Sequence, residues 1–345
     1  MKLQELLGLR WPVLQAPMAG VQGSDLALAV SNAGALGALP CAMLGIDAMR
    51  AELARIRAGT DRPCNVNFFC HTPPAPDAGR EAAWRATLLP YYTEFGLEAR
   101  DIPAVAARAP FTAEAAELLA EFRPAVVSFH FGLPEPALMQ RVRGWGAKIL
   151  ASATTLDEAL WLQRQGVDAI IAQGLEAGGH RGMFLGSDIS TQLGTLALVP
   201  QLVAALQTPV IAAGGIADAR GVAAAMALGA AGVQVGTAYL LCPEATTSAV
   251  HRAALQSEAA RHTALTRLFT GRPARAIVNR VIRELGAMNP VAPEFPLAVA
   301  AMAPLRAKAE SLASGDFSPL WSGQNASGCR AIGAAELTRE LAAGL

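Results

Sequence analysis

Eight short apolar runs, each followed by a stretch of helical period, constrain this chain more than any other feature. They are VLQAPMAG from Val13, ALGALP from Ala35, CNVNFF from Cys64 and AVVSFHFG from Ala125. KILASAT from Lys148, DAIIAQG from Asp168, PVIAAGG from Pro209 and AGVQVGT from Ala231 complete the set. Runs without polar alternation are the mark of parallel strands covered on both faces. Most end in Gly, Ala, Ser, Thr or Asn, residues suited to a strand giving way to a loop. Between them, residues 24–33, 47–58, 134–145, 156–165, 196–206 and 218–228 carry apolar residues at helical spacing. An open doubly wound sheet and a closed (β/α)8 barrel both use this alternation. The count of eight and the glycine turns after the last two runs favour the α/β TIM barrel.

Two stretches are too long for simple strand–helix units. Residues 71–123 separate the third and fourth runs and hold the Pro-rich HTPPAPDAGR and the aromatic LLPYYTEFG. They predict a helical insertion after strand 3, serving as a lid or an oligomer contact. Beyond Tyr239 the strand rhythm stops. The expected division is therefore a barrel over 1–240 and a helical C-terminal segment over 241–345, packed as a lid or small substrate domain. Within that tail, 269–280 and 314–328 read as loop-like.

Composition excludes several classes. Of 345 residues, 52% are hydrophobic and 16% charged, so disorder is excluded. Twenty-eight basic residues balance 28 acidic ones, and no basic run offers nucleic acid a footprint. The most apolar stretch, 196–216, is broken by Pro200, Gln201, Gln207 and Pro209, which argues against a membrane span. Five scattered cysteines without C-x-x-C spacing, and a start lacking a signal-peptide core, point to a cytoplasmic chain. No H-E-x-x-H or similar spacing suggests a metal site.

The chemistry-bearing signals sit at the predicted strand ends. PVIAAGGI ends in Gly214 and Gly215, and GVQVGTAYL carries the turn Gln234, Val235, Gly236 and Thr237. Glycine turns before helices let backbone N–H groups approach an anion, and barrels often bind phosphate after strands 7 and 8. Neither G-x-G-x-x-G nor a P-loop occurs. The sixth unit delivers Gln173 to the barrel mouth and continues as LEAGGHRG, with Gly178 beside His180. An imidazole framed by glycines can approach a flat ligand and act as acid, base or anion partner. Asn67 in the third run and His130 in the fourth are polar groups on apolar strand ends, which either satisfy backbone or face a ligand. His71, His251 and His262 lie outside strand ends and receive no role.

Together these stretches resemble the nitronate monooxygenase family, once called 2-nitropropane dioxygenases. QAPMAG, VNFF, SFHFG, AQGLEAGGHRG, AAGGI, GVQVGTAYL and FTGRPARAIVNR follow in order from Gln15 to Arg280, and SGDFSPLWSGQ extends the likeness. The chain looks most similar to the bacterial class whose substrate is propionate 3-nitronate. The resemblance implies an FMN-containing barrel. By motif position Asn67 and Gln173 would bond the flavin, Met18 and Ala19 would pack near its ring, and Gly178 would line it. Gly214, Gly215 and the turn from Gln234 through Val235 and Gly236 to Thr237 would hold the phosphate. His180 would be the catalytic residue and His130 would bind substrate. The implied reaction passes one electron from an alkyl nitronate to FMN. The resulting flavin semiquinone reduces O2, and the products are a carbonyl compound and nitrite or nitrate. The implied protein is a monomer or homodimer. Some relatives carry tyrosines and a lysine for the substrate carboxylate; PLAVAAMAPLRAKAE has no tyrosine, and Arg306 and Lys308 are either substitutes or, the favoured reading, solvated residues on a helix surface.

Two other readings compete. A related FMN barrel, an enoyl-thioester reductase, shares the EAGGH-type loop but uses NAD(P)H. A non-catalytic flavin-binding protein would need neither His180 nor His130.

Overall fold

The computed structural model describes residues 2–103 and 109–345. Residues 104–108 of the expected insertion lie outside the described residues. Each of the eight apolar runs forms a strand: β1 (Val13–Gln15), β2 (Gly37–Pro40), β3 (Cys64–Phe69), β4 (Val126–His130), β5 (Lys148–Ala153) and β6 (Ala169–Gln173). After the two-residue β7 (Gly179–His180) come β8 (Val210–Ala213) and β9 (Gly232–Val235). The eight long strands run parallel in the order β1-β9-β8-β6-β5-β4-β3-β2. A parallel bridge between Leu14 and Leu36 brings β1 beside β2 and closes the barrel.

The wall alternates as a barrel requires. Val13, Val127, Ile149, Ile170, Ala212 and Val233 join the layer between strands and helices. Leu14, Leu36, Val126, Leu150, Ile171 and Ile211 fill the interior instead. The short α1 (Leu3–Leu7) plugs the lower end, with Leu3, Leu6 and Leu7 packed into that interior cluster.

Helices α2 (Ser24–Asn32), α3 (Ile46–Gly59), α4 (Ala78–Glu94) and α5 (Ala113–Phe122) follow in order. The expected insertion is therefore of two kinds. α5 packs between α3 and α6 (Pro136–Gly144), in the ordinary place of a barrel helix. Only α4 leaves the wall. The ring continues with α7 (Leu156–Arg164), α8 (Thr195–Ala205) and α9 (Ala219–Ala227), near the expected limits.

The tail holds α10 (Ala249–Leu255), β10 (Thr263–Thr266), β11 (Ala274–Ile277), α11 (Arg280–Leu285), α12 (Ala298–Ser311) and α13 (Ala334–Ala342). It is not helical throughout: β10, β11 and β7 form a three-stranded antiparallel sheet. β11 falls in the stretch that reads as loop, because ARAI offers neither a β-branched run nor alternation. Trp84, Leu88, Tyr91 and Tyr92 of α4 pack with Phe269, Ala301, Met302, Leu305 and Phe317 of the tail in a second core. α13 then returns to the barrel and packs on α2, α9 and β1, where the eighth helix of a barrel belongs.

Leu337 and Leu341 of α13 are 2% and 1% exposed within the main core. Leu341→Ala is expected to cost about 3 kcal/mol in urea unfolding, as for other buried leucines. A loss below about 0.5 kcal/mol would mean that α13 does not complete the wall.

Candidate active site

The strands end on one cavity of about 1330 Å³, its open mouth included. β1 delivers Met18 and Ala19, β3 Asn67, β4 His130 and β5 Ser152. β6 and the loop after it bring Gln173, Gly178 and His180; β8 brings Gly214 and Gly215; β9 brings Gln234, Gly236 and Thr237. Of the residues that the sequence places at the barrel's strand ends and their loops for cofactor, substrate or catalysis, all but one thus meet in one place. The exception is Val235. Its side chain is 1% exposed in the core behind the sheet, and its carbonyl accepts the Ala16 N–H at 2.8 Å. Strand alternation explains this, since Gln234 faces the cavity and its neighbour must face away.

The tail supplies wall residues that the sequence did not single out: His251, Trp321, Gly323 and Asn325. The Gly323 N–H donates to Thr237 Oγ1 at 2.9 Å, the Gln324 N–H to the Glu176 carbonyl at 2.9 Å, and the Asn325 amide to the Gly215 carbonyl at 3.1 Å. A strap is thereby laid over the glycine turns. Gly214 and Gly215 have φ of +118° and +74°, values that L side chains rarely adopt.

His180 stands in an aromatic ring. The centroids of Phe295, Trp321, Phe131 and Phe69 lie 5.3, 5.4, 6.0 and 6.1 Å from its own. Its Nε2 is 2.9 Å from Thr270 Oγ1. The loop carrying it is anchored from below. Arg181, fully buried, donates to the carbonyls of Gly174 and Gln173, each at 2.7 Å. Glu158, 2% exposed, accepts the N–H groups of Thr154, Phe184 and Leu185 at 2.7, 2.5 and 3.2 Å. Glu158→Ala strips the buried Thr154 N–H of its partner and frees the Phe184–Leu185 turn, so a stability loss of about 2 kcal/mol is expected in denaturant titration. An unchanged midpoint would contradict the anchoring role.

Burial pushes His130 down to about 3 and His251 down to about 4, against the opposing pull of the carbonyls that they meet. Both rings are therefore neutral at pH 7. Their ordinary value is 6.5, so between pH 6.5 and 4 the unfolded chain binds protons that the folded chain does not. The stability contributed by these two rings is full above 6.5 and is lost as pH falls. Urea midpoints at pH 7.5 and about 5 should show the drop; a flat profile would rule out neutral burial. His251, given no role from sequence, in fact meets the Trp321 carbonyl at 3.0 Å and props that wall. Arg306 and Lys308 are exposed on α12, and Arg306 pairs with Glu310 at 2.8 Å. Neither of these two lines the cavity; both lie on the solvated helix surface, the favoured reading of the two, and not in the place of a carboxylate-holding group.

The buried Gln234 Oε1 has no hydrogen-bond partner among the described residues. An orphaned acceptor on a cavity wall fits a bound molecule that brings a donor. The Gly214–Gly215 turn, His180 and this acceptor line the same cavity, a set that suits a ligand with an anionic end. Among the described residues no group of three or more His, Cys, Asp or Glu gathers as metal ligands, and no helix is long and apolar enough to cross a membrane.

A parallel barrel whose strand ends share one cavity is an enzyme scaffold, and the comparisons with known proteins name a family. The nitronate monooxygenase family model matches residues 1–344. The chain is 42% identical to the nitronate monooxygenase of Pseudomonas aeruginosa, covering 99% of this chain and 97% of that protein. It is 43% identical to the nitronate monooxygenase of Paraburkholderia phytofirmans, over 98% and 93%. A crystal structure of nitroalkane oxidase from Streptomyces ansochromogenes superposes with TM-score 0.90 at 36% identity, over 99% and 97%. FabK from Thermotoga maritima is similar at TM-score 0.73 and 26% identity, over 98% and 93%. The chain belongs to the nitronate monooxygenase family, and it is an oxidoreductase.

Proposed function

We propose that this enzyme holds FMN in the cavity and oxidises alkyl nitronates with O2 to a carbonyl compound and nitrite or nitrate. The observation that carries the reading is that His180, set among aromatic rings, shares one cavity lining with the Gly214–Gly215 turn and the orphaned Gln234 acceptor. Asn67, Gln173 and Gln234 would hold the flavin ring and ribityl chain. Met18, Ala19 and Gly178 would pack against it. Gly214, Gly215, Gly236 and Thr237 would receive the phosphate. When bound, FMN supplies the one-electron chemistry that joins nitronate oxidation to O2.

The chain's own residues do the rest. His180 removes the α-proton of a neutral nitroalkane or faces the negative charge of a nitronate. Thr270 fixes the direction of its ring. Phe69, Phe295 and Trp321 keep water from the reacting carbon. The tail strap acts as lid. Five free cysteines support a cytoplasmic location.

Anaerobic mixing of the purified flavin-loaded protein with ethylnitronate should convert the oxidised flavin spectrum to a one-electron-reduced one within the turnover time, and NADH should leave it oxidised. The reverse result would assign the chain to enoyl-thioester reduction. Flavin binding without reduction by either would make it a non-catalytic binder.

A further inference from the structure

His130 closes β4, and Ser152 stands beside the last residue of β5. The His130 Nδ1 lies 3.0 Å from Ser152 Oγ, and its Nε2 lies 3.2 Å from the carbonyl oxygen of His180. A carbonyl oxygen only accepts, so Nε2 carries the hydrogen. Because the ring is neutral, Nδ1 is bare and accepts the Ser152 hydroxyl proton. Both ring nitrogens are thereby committed inside the protein.

The same carbonyl receives a second donor, Gln173 Nε2, at 2.9 Å. Gln173 Oε1 in turn takes the Gly182 N–H at 2.7 Å. The fit is close: a Cβ at Gly182 would stand 2.8 Å from His130 Cε1 and 3.2 Å from Ser152 Cβ. The backbone from the His180 carbonyl to Gly182 is thus pressed onto the His130–Ser152 pair.

We propose that Ser152 and His130 form a positioning couple: Ser152 selects the Nε2–H tautomer of His130, which grips the His180 carbonyl and so aims the His180 imidazole at the substrate. Ser152 is new to the site. His130 becomes a positioning residue in place of the substrate contact that the sequence suggests. The inference rests on the proposed role of His180 in proton transfer.

His130→Leu should lower kcat on neutral nitroethane about 10- to 100-fold, with KM within about threefold, since small misplacements of a catalytic group have effects of this size. His130→Gln, which keeps an N–H at the same reach, should recover activity to within about fivefold of the parent. Ser152→Ala should lower kcat about three- to tenfold, and Ser152→Thr should restore it. A rise in KM at unchanged kcat would make His130 a substrate contact and overturn the proposal, as would unchanged kcat in both His130→Leu and Ser152→Ala. If His130→Leu does not fold, the Ser152 pair decides. A readout independent of turnover is the side-chain ¹⁵N spectrum of His130 in the wild-type flavoprotein. A bare Nδ1 and protonated Nε2 down to about pH 5.5 is expected. A charged ring or the Nδ1–H tautomer at neutral pH overturns the couple. If the wild type oxidises no nitronate, the proposed function falls, and this spectrum still judges the couple.

Discussion

His180→Asn is expected to keep its flavin and lose about 100-fold or more of kcat/KM on neutral nitroethane, while pre-formed ethylnitronate loses about tenfold or less. The two substrates differ by one proton. The neutral form must shed it before oxidation, and a positioned general base is worth about two to four orders of magnitude in rate. The nitronate has shed it already and needs His180 only as a polar neighbour. Asparagine is the informative replacement. Its amide stays polar and fits within the space of the imidazole, but it cannot take a proton and stops short of Thr270 Oγ1, the present partner of His180 Nε2. The backbone at residue 180 remains held by β11, by Gln173 and by His130, so the loop should not collapse. Stopped-flow with both forms measures the split directly. Equal losses on the two forms would reduce His180 to a packing residue of the aromatic ring, and no loss on either would remove it from the reaction.

How much of this was legible beforehand follows from where each residue's constraint lies. The strands were readable because a parallel sheet buried on both faces tolerates little polar alternation; Ala169–Gln173 is apolar up to its last residue, and Val126–His130 is broken only by Ser128 before its last. That last residue is the exception that marks a site, as at His130 and Gln173. Ser152 lies one residue before the end of β5, where a single serine is common and marks no site by itself. Val235 went wrong for the opposite reason. A turn motif read as a unit hides the alternation within it, which sends Gln234 into the cavity and Val235 into the core. The tail was legible only as a break in rhythm. Trp321, Thr270 and His251 reach the site through contacts spanning 70 to 99 residues, such as His251 to Trp321 and Tyr239 to Thr338, and no local period records those. The return of α13 to the barrel wall depends on the gap left between α2 and α9, a property of the assembled ring.

Gly178→Val is expected to release the flavin, raising its dissociation constant at least about tenfold, or about 1.4 kcal/mol. A Cβ at residue 178 would lie 2.5 Å from the Gly323 nitrogen and 2.6 Å from the Ser322 carbonyl carbon. Both are backbone atoms, so no side chain can rotate away; the strap itself must move. That strap is tied down by the Ser322 N–H to the Arg275 carbonyl at 3.3 Å, by Gly323 to Thr237 and by Gln324 to Glu176. Displacing it loosens hydrogen bonds worth about 0.5–1.5 kcal/mol each and opens the Thr237 side of the cavity to water. The fold should survive, because the barrel core lies on the other side of the strands and Gly178 belongs to the loop beyond β6. The flavin-to-protein ratio after gel filtration, with fluorescence titration of added FMN, gives the affinity. Excess FMN should restore part of the activity if the cavity is only loosened. Wild-type retention of flavin in this variant would mean that the cofactor does not lie beneath the strap, and the assignment of Gly214, Gly215, Gly236 and Thr237 to its phosphate would fall with it.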